Sequence, residues 1–310
     1  MKLCNKCNRF YEENESTNFC PYCGIKCNDE ENVETEEIKI DQFELDHIEN
    51  KTKYWLGLGL YFAIFYIVAT IVSVVITLIW MGFNPGADIT EGSPMYDKYQ
   101  FDVLSWSNFV IYVISAAVLI PITFKTLKKD FVQLRQNPGL IFKWFGFGML
   151  IMYGGIYASA ILVEILSFGL EAGDSANQEL IVSLLKSGGI NMVLMTSMTI
   201  IFAPIIEEIV FRKCLFGIFK KNTIKTVILS TIIFAGIHTI PTCLGLIPSV
   251  ILGDAPWTEL YLEFIYIFQY IGQAFALSFV YHKTKGNIIP CIMIHFVNNF
   301  ISILGTLFLY

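Results

Sequence analysis

Seven apolar stretches, each long enough to cross a bilayer, leave this chain few choices of fold. They lie at about 54–81, 106–124, 144–168, 190–207, 226–250, 260–282 and 288–309. A helix needs ~20 largely apolar residues to span the hydrocarbon. Inside it every backbone N–H and C=O must be satisfied within the segment, which selects helices over open sheets. Only 15% of residues are charged, against roughly 25% in soluble domains, and the mean hydropathy is +0.57. The expected fold is an all-α polytopic membrane protein of about seven transmembrane helices. Pro241 and Pro248 interrupt the fifth stretch, which is expected to kink or to end in a short re-entrant piece.

The connections alternate in charge. Lys51 and Lys53 precede the first stretch, Lys125, Lys128, Lys129, Arg135 and Lys143 join the second to the third, and Arg212, Lys213, Lys220, Lys221 and Lys225 join the fourth to the fifth. Lys283 and Lys285 join the sixth to the seventh, while the other connections carry Asp88, Glu91, Asp97 and Asp102, then Glu171, Asp174 and Glu179, then Asp254 and Glu259. The positive-inside rule therefore predicts a multi-pass protein of the cell membrane with a cytoplasmic N-terminus and an outward C-terminus. Counted inward from the basic connections at ~1.5 Å per residue, Glu207, His295 and Asn299 fall in the cytoplasmic half, with His238 deeper. A cavity joining them is expected to open to the cytoplasm. No basic tract suggests nucleic acid.

Ahead of this membrane domain (54–310) stand a cysteine module at 1–27 and an acidic, Asn/Glu-rich linker at 28–53 with no apolar period. Cys4-x-x-Cys7 and Cys20-x-x-Cys23 are two knuckles a dozen residues apart. Four thiolates so spaced suit tetrahedral Zn²⁺, and the module resembles a zinc ribbon. It is too short to bury a core, so it is expected to fold on its structural zinc. A reducing cytoplasm argues against disulfides. A protein partner is one use for such a module; Cys27 falls outside the pattern.

The membrane stretches hold groups that hydrocarbon does not tolerate without reason. An ionisable side chain at mid-bilayer costs roughly 2.5–3.5 kcal/mol and marks function by default. Glu207 and Glu208 stand side by side, Glu208 one turn before Arg212. His238 lies in the fifth stretch, and His295 and Asn299 share one face of the seventh. Peptide hydrolysis needs a base for water and donors for an oxyanion. A carboxylate backed by an imidazole suits the first task, and a second imidazole with an amide suits the other. Arg212 is expected to neutralise Glu208 and leave Glu207 free. Phe234, His47, His282, Cys214, Cys243 and Cys291 are expected to pack or to face solvent.

Glu207-Glu208-x-x-x-Arg212, Phe234-x-x-x-His238 and His295-x-x-x-Asn299, in that order, resemble the motifs of the CPBP intramembrane proteases. That family includes type II CAAX prenyl endopeptidases and the bacteriocin-processing Abi proteins. The resemblance covers about 190–310, a protease-like core. It implies that Glu207 and His238 activate the attacking water and that His295 and Asn299 hold the oxyanion, with Glu208 and Arg212 supporting. The implied substrate is a membrane-associated or lipid-modified peptide or protein. A catalytic zinc is left open: two histidines and a carboxylate can hold one, no HExxH spacing is present, and a metal-free glutamate mechanism is the preferred expectation. Two other readings compete. The first is a non-catalytic immunity or scaffold protein keeping a protease-like pocket. The second is a proton-relaying transporter, ranked last because no inverted repeat is visible.

Overall fold

The computed structural model describes residues 2–3, 10–11, 19–23, 42–219 and 223–308. Two compact units divide at Asp41/Gln42. In the first, β1 (Lys2–Leu3) and β2 (Phe10–Tyr11) pair antiparallel, Lys2 opposite Tyr11 and Leu3 opposite Phe10. Of the four thiols expected to hold zinc, Cys4 and Cys7 lie outside the described residues, as does Cys27. Cys20 is buried and Cys23 exposed.

The second unit is helical. Among the described residues, seven helices are long and apolar enough to cross a membrane: Glu49–Phe83, Tyr96–Gln136, Pro138–Leu166, Gly189–Ile218, Ile224–Leu252, Trp257–Lys283 and Ile289–Phe308, called spans one to seven below. The first helix already starts at Gln42, before the apolar run begins. The polarity of the bundle is inverted relative to a soluble protein. Leu150, Tyr157 and Ile251 are at least 70% exposed on its outside, whereas Glu207, Glu208, Arg212, Lys213 and His295 are buried within. That is the arrangement an apolar solvent enforces, because only internal partners can satisfy charge there.

Span five is one continuous helix through Pro241 and Pro248; of the two expected forms, the short re-entrant piece does not occur. Proline removes one donor from the helical ladder, and within a bundle neighbouring groups compensate for the freed carbonyl. Spans three and six touch most closely at Gly155 and Gly272, where a Cβ on either residue would strike the other's backbone. Small residues at such a crossing let two membrane helices pack backbone to backbone.

Span four is the axis of the site. Its α-helical register is interrupted by π-helical turns at Met198–Phe202 and Ile209–Cys214, with Ala203–Glu208 between them. Pro204 has no N–H to close the preceding turn, a recognised cause of such widening. Glu207 and Glu208 thus sit where the helix is locally rewound, as π-bulges often do at functional positions.

Between spans three and four, a short helix (Ala176–Lys186) is capped by the Ser175 hydroxyl, which accepts from Gln178 N. Its lead-in is tied to span six: Gly173 N donates to the Tyr266 hydroxyl at 2.8 Å and Ala176 N to Glu263 Oε2 at 3.1 Å. These bonds hold an otherwise irregular connection over the helix ends.

Candidate active site

Spans two, four, five and seven bring one set of polar side chains together. His295 on span seven lies between the two glutamates of span four. Its Nδ1 is 2.9 Å from Glu208 Oε1, and its Nε2 is 3.9 Å from Glu207 Oε2. The first is a hydrogen bond. The second is too long for one and leaves a gap of the kind a bridging water fills.

Glu208 also faces Arg212, with Oε2 3.1 Å from Nε. The orientation falls short of a hydrogen bond, but both side chains are fully buried, and the pairing of charge is close. Arg212 further donates from Nη2 to the Ala274 carbonyl of span six at 3.2 Å, and its guanidinium lies 4.6 Å from the Phe234 ring centre. Phe234 is the packing residue expected. Its ring contacts those of Phe211, His238 and His295.

His238 Nδ1 is 2.7 Å from the Phe234 carbonyl. A carbonyl only accepts, so Nδ1 carries the proton, and neutral His238 keeps its lone pair on Nε2. The ring stacks on Tyr270 at 4.5 Å. On span seven, Asn299 Nδ2 donates to the Thr199 carbonyl at 2.9 Å, which anchors the amide to span four with one of its two N–H groups.

Three tyrosines complete the site and were not anticipated. The Tyr112 hydroxyl of span two donates to Glu207 Oε1 at 2.8 Å. Tyr61 and Tyr270 line the same cavity. A tyrosine deep in an apolar span must find a partner for its hydroxyl, so Tyr112 did carry a signal. Which carboxylate it would meet depends on how spans two and four pack.

Glu207, His238, His295 and Asn299 all border one cavity of about 850 Å³. Its lining also includes Gly173, Asp174 and Gln178 at the acidic connections and the exposed span residues Tyr66 and Ile301. Among the described residues, none from the basic connections, where a cytoplasmic mouth is expected, borders the cavity. At the basic ends, buried side chains are bonded across spans. Lys213 Nζ lies 2.7 Å from Asp130 Oδ2 of span two and 2.8 Å from the Gly286 carbonyl. Asn287 Nδ2 donates to the Asp130 carbonyl at 3.1 Å and to Gln133 Oε1 at 2.9 Å.

As to a catalytic metal, no three His, Cys, Asp or Glu side chains among the described residues are placed to share one ion. Both Nδ1 atoms are committed, to Phe234 O and to Glu208, and Glu208 is itself matched by Arg212, which leaves Nε2 as the cavity-side nitrogen of each ring.

A membrane-embedded cavity with a carboxylate, two imidazoles and an amide on its wall has the parts of a peptidase. Comparison with known proteins supports a membrane peptidase. Residues 189–301 match the family model described as type II CAAX prenyl endopeptidase Rce1-like. That segment holds Glu207, Glu208, Arg212, His238, His295 and Asn299 but not Tyr112. The chain is 28% identical over 203 residues to the Bacillus subtilis protein called "Putative membrane peptidase YdiL", covering 64% of this chain and 70% of that one. It is 32% identical over 156 residues to an uncharacterized protein of Mycoplasma capricolum subsp. capricolum, covering 48% of this chain and 39% of that relative. No solved structure matches.

Proposed function

We propose that this protein is an intramembrane endopeptidase that hydrolyses a peptide bond in a membrane-associated peptide or protein, with Glu207 as general base. The observation that carries this reading is the convergence of Glu207, His238, His295 and Asn299 on one cavity wall. A water in the gap between Glu207 and His295 gives its proton to Glu207 Oε2 as its oxygen adds to the substrate carbonyl. His238 faces the same space with an Nε2 lone pair and helps to hold that water. The proton on Glu207 then passes to the leaving amine as the C–N bond breaks.

The oxyanion is held by His295 and Asn299. With His295 Nδ1–H given to Glu208, Nε2 is its remaining cavity-side atom and donates when the ring carries both protons. Asn299 has one amide N–H uncommitted after its bond to Thr199. Glu208 and Arg212 act at one remove, orienting His295 and balancing charge. No step needs a metal.

The same reading places the N-terminus in the cytoplasm, with Cys4, Cys7, Cys20 and Cys23 holding one structural zinc and the module free to dock a protein partner. Lipid modification of the substrate is compatible with the cavity and not required by it.

The test compares peptides and new protein N-termini from membranes expressing the wild type or Glu207→Gln at matched levels. Products present with the wild type and absent with the variant are expected. Identical profiles, with the variant still supporting the cellular phenotype, would make this a binding or immunity protein with a protease-like pocket.

A further inference from the structure

We infer that Tyr270 is a positioning residue for His238, and that Ser175 and Asn177, in the connection between spans three and four, hold Tyr270 in turn. The task of His238 comes from the peptidase reading, on which the inference rests to that extent. The contacts around its ring do not depend on that reading.

The two imidazoles on the cavity wall are oriented by different means. His295 is held from another span by a carboxylate, with Nδ1 2.9 Å from Glu208 Oε1. His238 is bonded within its own helix: Nδ1 lies 2.7 Å from the Phe234 carbonyl one turn back, and the Phe234 ring lies on that same turn. The torsion that turns an aromatic ring about its bond to Cβ is broad, so one hydrogen bond at Nδ1 sets the direction of the Nε2 lone pair only loosely. Tyr270, on span six, narrows it. Its ring is stacked on the imidazole with centres 4.5 Å apart and planes inclined by 23°. A flat neighbour in van der Waals contact resists rotation of the imidazole out of the stack. His238 and Tyr270 border the same cavity as Glu207 and His295, so the direction fixed in this way is that of a lone pair facing the reacting water.

Tyr270 can do this only if its own ring is fixed, and its hydroxyl supplies the anchor. A buried tyrosine must find a partner for that group, and Tyr270 is 7% exposed. The partners are Ser175 Oγ, hydrogen-bonded to it at 2.5 Å, and Asn177 Nδ2, which donates to it at 3.2 Å. Neither lies on a membrane span. Ser175 caps the Ala176–Lys186 helix, its Oγ accepting from Gln178 N at 3.3 Å, and Asn177 is in the first turn of that helix. The same stretch is fastened to span six at further points. Ser175 N donates to Gln269 Oε1 at 3.3 Å and Gln269 Nε2 to the Gly173 carbonyl at 3.1 Å, beside the bonds of Gly173 to Tyr266 and of Ala176 to Glu263. Glu263, Tyr266, Gln269 and Tyr270 follow one another at helical spacing along one face. Of these, Tyr270 carries the contact on to the imidazole. A short chain of contacts, from Ser175 to the Tyr270 hydroxyl and from the Tyr270 ring to His238, thus joins an inter-span connection to the site.

The experiment uses full-length protein in nanodiscs and two readouts, with thermal unfolding measured alongside. The chain has four histidines, so ring-labelled histidine gives a magnetic-resonance spectrum simple enough to assign, with His238→Gln identifying the His238 signal. Stacking on Tyr270 should shift the His238 Hε1 signal upfield in the wild type. Ser175→Ala and Tyr270→Phe take away the bond at the hydroxyl and keep a ring at 270. Both are expected to move or broaden that signal while the signal of His282 stays in place. Turnover of a peptide found by the profiling experiment is the second readout: kcat should fall by about twofold to tenfold in each variant, with KM within about twofold. An unmoved His238 signal overturns the inference, whatever happens to Tm, because Tyr270 then anchors the connection and nothing more. A moved signal with wild-type kcat, in a protein that cuts peptides, overturns it as well. Should Ser175→Ala fail to fold, Tyr270→Phe carries the test by itself. A signal that moves as expected in a protein that never cuts a peptide defeats the peptidase reading and leaves the positioning of the ring standing; Glu207-dependent cutting with an unmoved signal does the reverse.

Discussion

Replacing Tyr112 by phenylalanine removes one oxygen and keeps the ring, which sits edge-on to Phe65 at 5.2 Å. What is lost is the 2.8 Å hydrogen bond to Glu207 Oε1. Hydrogen bonds to a charged partner are worth about 1.5–3 kcal/mol, and this one is buried. If Tyr112 positions the base, its bond occupies Oε1 and leaves Oε2 to face the gap before His295, so the loss falls on the reacting geometry. At about 1.4 kcal/mol per factor of ten, kcat should fall by roughly 10- to 100-fold while KM stays within about twofold. The assay is turnover of a peptide identified by the profiling experiment, followed in detergent or nanodiscs, with thermal unfolding measured alongside. A structural role would read differently, because the under-satisfied carboxylate would lower Tm and leave kcat per folded molecule alone. A Tyr112→Phe protein with wild-type kcat, or one altered only in KM, refutes the positioning role.

Glu208→Gln should destabilise by about 3–5 kcal/mol, because it leaves the Arg212 charge unmatched in a dry interior; a variant of wild-type Tm that is inactive would instead move Glu208 into the chemistry. Gly272→Ala should lower yield and Tm by separating spans three and six at Gly155, and unchanged folding would show that the crossing has slack. Zinc analysis of the purified protein should give one ion per chain, reduced in Cys20→Ser. Removing residues 1–41 should leave a protein that inserts and gives the same Glu207-dependent products, and failure to insert would contradict a separate module.

The helices and the polar residues that gather in the cavity were legible in the sequence for the same physical reason. Hydrocarbon penalises unpaired polar groups so heavily that each one present stands out, and local spacing alone places Glu208 beside Arg212 and His295 beside Asn299. Pairings between distant elements were not legible. That Tyr112 reaches Glu207 and that His295 takes Glu208 as its near partner depend on side-chain packing across separations of 95 and 87 residues.

The packing at the basic ends of the spans belongs to the second kind. Counting residues puts Glu207 nearer the basic ends of the helices, and the shortest path suggests a mouth there. Buried, bonded side chains lie there. Lys213, next to Arg212 in a π-helical turn, points to a different neighbour and meets Asp130, while Asn287 ties the connection before span seven to span two. A cation that would lie in the basic interface if exposed is drawn inward by one buried carboxylate and ties the bundle there across spans. At the opposite ends the Ala176–Lys186 helix contributes Gln178, Ile181 and Leu185 to the cavity wall, and its lead-in is bonded to span six.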